Sequence, residues 1–144
     1  MITCDTNILF PALEASHRDH VAARRFLESK SEDGEFCLCE LVLMEVYTLL
    51  RNPVTSRRPL SAAEATGKIQ NLRENPSWGL LDYPGTLMNK IWKEAAAIEA
   101  YRRIYDVRLA LTLRHYGLTK FATANTKDFK DFGFETVWNP LKED

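Results

Sequence analysis

An α/β/α sandwich, with helices covering both faces of a central and mainly parallel sheet, is the fold class this sequence predicts, and three observations predict it. Short apolar, β-branched runs alternate with longer runs whose apolar residues recur at helical spacing, a pattern that calls for crossover connections and parallel pairing. The chain has 144 residues, 45% hydrophobic and 27% charged, which suffices for one ordinary core without disulfides or structural metal. No internal repeat or low-complexity segment interrupts it, so residues 1–144 are expected to form a single domain.

The elements follow in order. Residues 2–10, ITCDTNILF, read as a buried strand and its exit, and residues 11–17 as a connector. Residues 20–27 have helical spacing and residues 31–34 punctuate the chain. A second strand is expected over 35–39, then a helix over 40–50 with Leu41, Met44 and Leu49 on its apolar face, stopped by Asn52-Pro53. The polar stretch 52–59 reads as a loop. Ser61 followed three residues on by Glu64 is a capping box that opens a helix to about Glu74. A short strand over 78–82 precedes a helix over 87–103, which carries helix formers throughout, and another over 106–115 with Gly117 where a C-terminal glycine belongs. Strands over 120–124 and 135–138 complete the sheet.

Composition excludes several classes. No apolar run approaches the roughly 20 residues of a membrane span, and no charged segment with a small-residue cleavage site opens the chain, so a cytoplasmic protein without membrane contact is expected. Cys4, Cys37 and Cys39 sit in strand-like segments and form no CxxC pair, which argues against a disulfide framework or a zinc knuckle. They read as small buried hydrophobes. A net charge of −1 leaves only local basic stripes for nucleic acid.

Asp5 is the first residue that needs explaining, because an unpaired buried carboxylate costs several kcal/mol and Asp is poor in strands. In a parallel sheet ligands sit outside the carboxyl ends of the strands, where Asp5 is expected. Glu45, in the apolar run LVLMEVY, is expected at or within the buried side of its helix, with Arg51 or Arg108 as a possible counter-cation. Asp106 opens its helix and Asp128 follows the 120–124 strand. Alone, Asp106 reads as a helix-start charge and Asp128 as a turn residue. Together, Asp5, Glu45, Asp106 and Asp128 define an all-oxygen cluster suited to Mg²⁺ or Mn²⁺. Such ions activate water and stabilise a leaving oxygen in phosphodiester cleavage. Thr6, Asn7, Thr123 and Asn125 supply hydroxyl and amide groups that orient these carboxylates from behind.

The DTN opening, the Glu45 segment LMEVYTLLRNP, the Asp106 segment YDVRLALTLRHYG and the run FATANTKDF resemble the PIN-domain family, and within it the VapC-type ribonuclease toxins of type II toxin–antitoxin pairs. The resemblance runs from residue 2 to Pro140. It implies a compact α/β/α domain, Mg²⁺- or Mn²⁺-dependent endoribonuclease activity, neutralisation by a small antitoxin protein, and a homodimer. The four acids fall on the family's acidic positions. Asn125 stands where many members carry an acid, which leaves Asp128 or Asn125 to complete the site. Glu40 rivals Glu45, and Glu45 is preferred for its place before the Arg51-Asn52-Pro53 helix end. Arg51, Arg57, Arg58, Arg102, Arg103 and Arg108 are the candidate RNA contacts, with solvated surface charge as the plain alternative. Trp78, Trp92 and Trp138 are expected in the core, and the three histidines carry no assigned chemistry. The apolar faces of the helices between residues 61 and 103 are the expected dimer surface. The rival functions are a stand-alone RNA-processing nuclease, a different metal-dependent phosphoesterase, and a non-catalytic α/β binding module.

Overall fold

The computed structural model describes residues 1–142. Its strands are β1 (Ile2–Cys4), β2 (Phe36–Cys39), β3 (Gly79–Leu81), β4 (Lys120–Ala122) and β5 (Thr136–Trp138). They form one sheet in the order β3-β2-β1-β4-β5 with every pair parallel. Helices α1 (Thr6–Leu13), α2 (His20–Ser29), α3 (Glu40–Arg51), α4 (Ala62–Arg73), α5 (Met88–Ala95) and α6 (Arg103–His115) flank it. The α/β/α expectation holds. All four residues of β2 are buried, as a parallel strand covered on both faces requires. The core centres on Phe36, Leu38, Phe121 and Phe129 with Ile8, Leu9, Val46 and Leu113 from the helices.

The chain steps outward from β1 to β2 and β3, then returns to the other side of β1 with β4 and β5. Strand order therefore reverses between β1 and β4, and the crevice at such a reversal is where this architecture accepts ligands. Thr3 lies opposite Cys37 on one side and Phe121 on the other, and the Asp5 N–H donates to the Ala122 carbonyl at 2.9 Å. The exits of β1 and β4 are thereby fixed side by side.

Several boundaries differ from expectation. β1 ends at Cys4, and Ile8 to Phe10 belong to α1 rather than to a strand. Asp5 makes the difference: its side chain caps the helix by accepting from the Thr6 N–H, and its carbonyl accepts from Ile8 and Leu9. Pro11 lies inside α1 rather than opening a connector, its helix-breaking cost outweighed by burial of Ile8, Leu9, Phe10 and Ala12 on the sheet. The helix expected over 87–103 is broken: α5 ends at Ala95 and α6 begins at Arg103. Ile91 is the one buried residue of α5, and helix formers without an apolar face to pack do not sustain a long helix. α6 accordingly starts three residues before Asp106. The capping box at Ser61 and Glu64 is present with both of its hydrogen bonds.

In α3 the buried residues are Val42, Leu43, Val46 and Leu50, whereas Met44 is 68% exposed. The apolar face is turned from the one expected, and Glu45 is exposed rather than directed into the core. Trp78 and Trp138 pack against the core, but Trp92 lies on the surface at 59% exposure. All three cysteines are free and buried, as expected. Among the described residues no helix is long and apolar enough to cross a membrane.

Candidate active site

A cleft of about 650 Å³ opens at the carboxyl ends of β1 and β4. Asp5 reaches it as the N-cap of α1, Glu45 from the middle of α3, and Asp106 from the first turn of α6. Thr6, Asn7 and Asn125 also line it.

Asp5 is held on every side. Its Oδ1 accepts from the Thr6 N–H at 2.8 Å, and its Oδ2 accepts from the Thr123 hydroxyl at 2.8 Å and from the Asn7 amide at 3.5 Å. The Asn7 Nδ2 also donates to Thr123 Oγ1 at 3.3 Å, its Oδ1 accepts from the Ala124 N–H at 2.9 Å, and the Asn125 N–H donates to Thr123 Oγ1 at 3.1 Å. The Thr6 hydroxyl donates to Glu45 Oε2. The side chains of Thr6, Asn7 and Thr123 and the backbone N–H of Asn125, whose side-chain amide makes no hydrogen bond among the described residues, tie the exits of β1 and β4 to one another and to α3.

Burial pushes the Asp5 carboxyl up to about 6, the Thr123 and Thr6 hydrogen bonds oppose this, and the charges of Glu45 and Asp106 add to it. Burial also raises Asp106; Arg103 opposes the rise, while Asp128 and Glu45 reinforce it. Among the described residues neither Asp5 nor Glu45 has an ion-pair partner, so negative charge in the cleft is under-compensated. The donors are all oxygen, the chemistry that suits a hard divalent cation. The acids line one wall without closing into a cage: among the described residues no three His, Cys, Asp or Glu side chains stand in a ready metal-holding group.

The other predicted residues sort clearly. Asp128 is exposed in the 3-10 turn Thr126–Phe129 and does not line the cleft, although its charge is felt at Asp106. Asn125 does line it. Glu40 faces away and is held by Arg73 through two hydrogen bonds of 3.1 Å each. Of the candidate arginines, Arg108 lines the cleft and Arg103 stands behind it, donating to Asp106 at 3.4 Å and to the Asp128 carbonyl. Arg51 is occupied by the Tyr47 hydroxyl at 2.9 Å, Arg102 lies over the exposed Tyr101 ring, and Arg57 and Arg58 are exposed in their loop; none of these four lines the cleft.

Sequence reasoning missed His17, Arg18, Asp19, Thr55 and Tyr105, all on the cleft wall. The first three sit in the connector after α1, and their placement depends on how α1 packs against α2. Tyr105 carried a readable signal: it is the residue before Asp106 and has to share its end of the helix.

Comparison with known proteins accords with this geometry. Residues 2–135 match the PIN domain family. Ribonuclease VapC24 of Mycobacterium tuberculosis, in strains CDC 1551 / Oshkosh and ATCC 25618 / H37Rv, is 46% identical over 145 residues, spanning 100% of this chain and 99% of the relative. Among solved structures, Mycobacterium tuberculosis VapC20, described as a sarcin-ricin loop cleaving toxin, superposes with a TM-score of 0.68 at 20% identity, over 93% of this chain and 96% of that one. A chain of FitAB bound to an IR36 DNA fragment gives 0.63 at 17% identity, over 100% of this chain and 98% of that one. These two likenesses are of fold. With the full-length relative and the family match added, the chain belongs to the PIN-domain family, among its VapC-type members.

Proposed function

We propose that this protein is a Mg²⁺- or Mn²⁺-dependent endoribonuclease, the toxin of a toxin–antitoxin pair, acting as a single cytoplasmic domain. The observation that carries the reading is the shared cleft of Asp5, Glu45 and Asp106, in which two of the three acids lack a cation. Asp5, Glu45 and Asp106 are the residues that would hold the metal, with Asp128 or Asn125 at the margin. When bound, such an ion lowers the pKa of water and offsets charge on the leaving oxygen. Asp5 is kept in one orientation by Thr6 and Thr123, Glu45 is positioned by the Thr6 hydroxyl, and Arg103 orients Asp106. Arg108 and Arg18 at the rim draw RNA phosphate toward a site that would otherwise repel it. The name ribonuclease attached to the 46% identical relative supports the same substrate class.

An apolar groove of about 740 Å³ between α3 and α4 adjoins the cleft and shares Leu41, Glu45, Tyr105 and Arg108 with it. It supports the antitoxin part of the reading: a small protein lays an apolar segment along α3 and α4 and places an Arg or Lys among the acids, inhibiting by charge. The exposed Trp92 and Tyr101 around α5 support a homodimer.

The test is cleavage of intact tRNA and rRNA pools with and without Mn²⁺, for wild type and for Asp5→Asn and Asp106→Asn. Cleavage only by wild type with Mn²⁺ is expected. Mn²⁺ affinity and cleavage unchanged in both variants would remove the proposed site.

A further inference from the structure

Tyr105 and Arg108 lie three residues apart on α6, so their side chains share a face of the helix. Both line the acid cleft and the apolar groove, which places them where the two meet. Tyr105 is 58% exposed and contributes little to the core. The guanidinium of Arg108 lies 5.4 Å from the centre of the Tyr105 ring and 5.8 Å from that of Tyr83. Of the other cationic heads near the cleft, Arg103 is occupied by Asp106 and the Asp128 carbonyl, and Arg18 is an almost fully exposed rim charge with only a loose 3.7 Å contact to Asp19. Among the described residues Arg108 makes no ion pair, and its buried Nε has no hydrogen-bond partner. Aromatic faces alone therefore hold a planar fork of donors whose hydrogen-bonding capacity is unused. Leaving such a donor unpaired is costly unless a ligand completes it.

We propose that Tyr105 and Arg108 form a nucleotide subsite beside the acids, in which an unpaired base stacks on the exposed part of Tyr105 and the Arg108 guanidinium binds the phosphate attached to that base. The proposal rests on the ribonuclease reading above. A phosphate matches the guanidinium fork bidentately, and an exposed tyrosine accepts any base through its π face. The neighbouring Asp106 puts the next phosphate of the strand at the acids, so the subsite sets how the strand is seated relative to the bond that is cut without selecting the base. Double-stranded RNA keeps its bases stacked internally and cannot use it, so the preferred substrate is a loop or another single-stranded segment.

The experiment is steady-state cleavage of a short single-stranded RNA with Mn²⁺, using a series of oligonucleotides that each carry one abasic position. In wild type, one abasic position next to the cut is expected to raise KM by about 5- to 150-fold, the range of a lost base–aromatic stack. Tyr105→Ala should raise KM by a similar factor on intact RNA, leave kcat within about threefold, and be insensitive to that abasic position; Tyr105→Phe should behave as wild type. Arg108→Met should raise KM and lower the salt dependence of log KM by about one phosphate contact. Tyr105→Leu serves in place of Tyr105→Ala should the latter fail to fold by circular dichroism. An abasic series that costs wild type and the Tyr105 variant equally at every position would overturn the subsite, as would a loss confined to kcat. A wild type that cleaves with Mn²⁺ but has no abasic-sensitive position overturns the subsite and keeps the nuclease reading. A wild type that neither cleaves nor binds RNA overturns both.

Discussion

Asp5→Asn removes charge from the cleft while preserving its shape, and its effect on stability changes sign with pH. Asp5 is raised in the folded chain from 3.8 to about 6, so between those values the folded state holds a proton that the unfolded state has released. Stability falls as pH rises through that window, and the loss is complete above about pH 6. A displacement of that size corresponds to about 3 kcal/mol. Asn escapes this penalty but loses the Thr123 hydrogen bond of 2.8 Å. Its amide would face an Oγ1 that already accepts from Asn7 at 3.3 Å and from Asn125 at 3.1 Å, which fills both lone pairs and costs about 1 kcal/mol. The balance makes the variant about 2 kcal/mol more stable than wild type at pH 7.5 in EDTA and about 0.5 kcal/mol less stable at pH 4. Urea unfolding at the two pH values measures it. Mn²⁺ at pH 7.5 should then reverse the order, because only wild type gains binding energy. A difference between wild type and variant that is the same at both pH values would show that burial and the neighbouring acids place no strain on Asp5, and the account of the cleft would fail.

Four further outcomes are expected. Glu45→Gln abolishes cleavage with little change in unfolding free energy, because the glutamine oxygen still accepts from Thr6, whereas Glu40→Gln leaves cleavage intact and costs at most about 1 kcal/mol through its half-exposed pair with Arg73; the reverse pattern would transfer the role to Glu40. Asn7→Ala removes the hydrogen bonds that Asn7 makes to the exposed Ala124 N–H and to Thr123 and lowers both stability, by about 1 kcal/mol, and cleavage, so a variant with unaltered kcat would refute its positioning role. Gly117→Ala costs about 1 kcal/mol because the φ of +78° after α6 is a left-handed conformation, even though no atom crowds the added Cβ; thermal unfolding checks it. Phe121→Ala, fully buried on β4 against Phe129 and Phe134, costs about 3–5 kcal/mol in denaturant titration, and a loss below 1 kcal/mol would show that the core is not packed as described.

What was legible in the sequence was whatever depends on local pattern. Apolar runs marked β2 and β4 within a few residues, the Ser61–Glu64 spacing marked α4, and Asp5 announced itself by being wrong for a strand. The same residue was misread in one respect, since its role as a helix cap shortens β1 and turns Ile8, Leu9 and Phe10 into helix. A short apolar run has the same composition as strand or helix, and only the cap decides. Glu45 belonged to the cleft, but its exposure was hidden because aliphatic neighbours surround it in sequence while the helical turn sends Val42 and Val46 inward and Glu45 outward. Arg18 and His17 carried no signal at all, because a connector residue reaches the cleft only through the packing of the helices on either side of it. Of the candidate arginines, the structure separates Arg108 from those occupied elsewhere, a distinction that depends on which partner each head group finds.

The hydrogen bond between Thr123 and Asp5 spans 118 positions of the chain. Contacts of such long range form late, after the loop-closure entropy of the intervening segment has been met. Asp5 and Glu45 are synthesised early, yet Asp5, held locally by the Thr6 N–H and loosely by the Asn7 amide, gains its hold from Thr123 only when β4 has inserted beside β1. A nascent chain on the ribosome therefore holds acids but no aligned site, and the cleft matures only when synthesis is nearly complete.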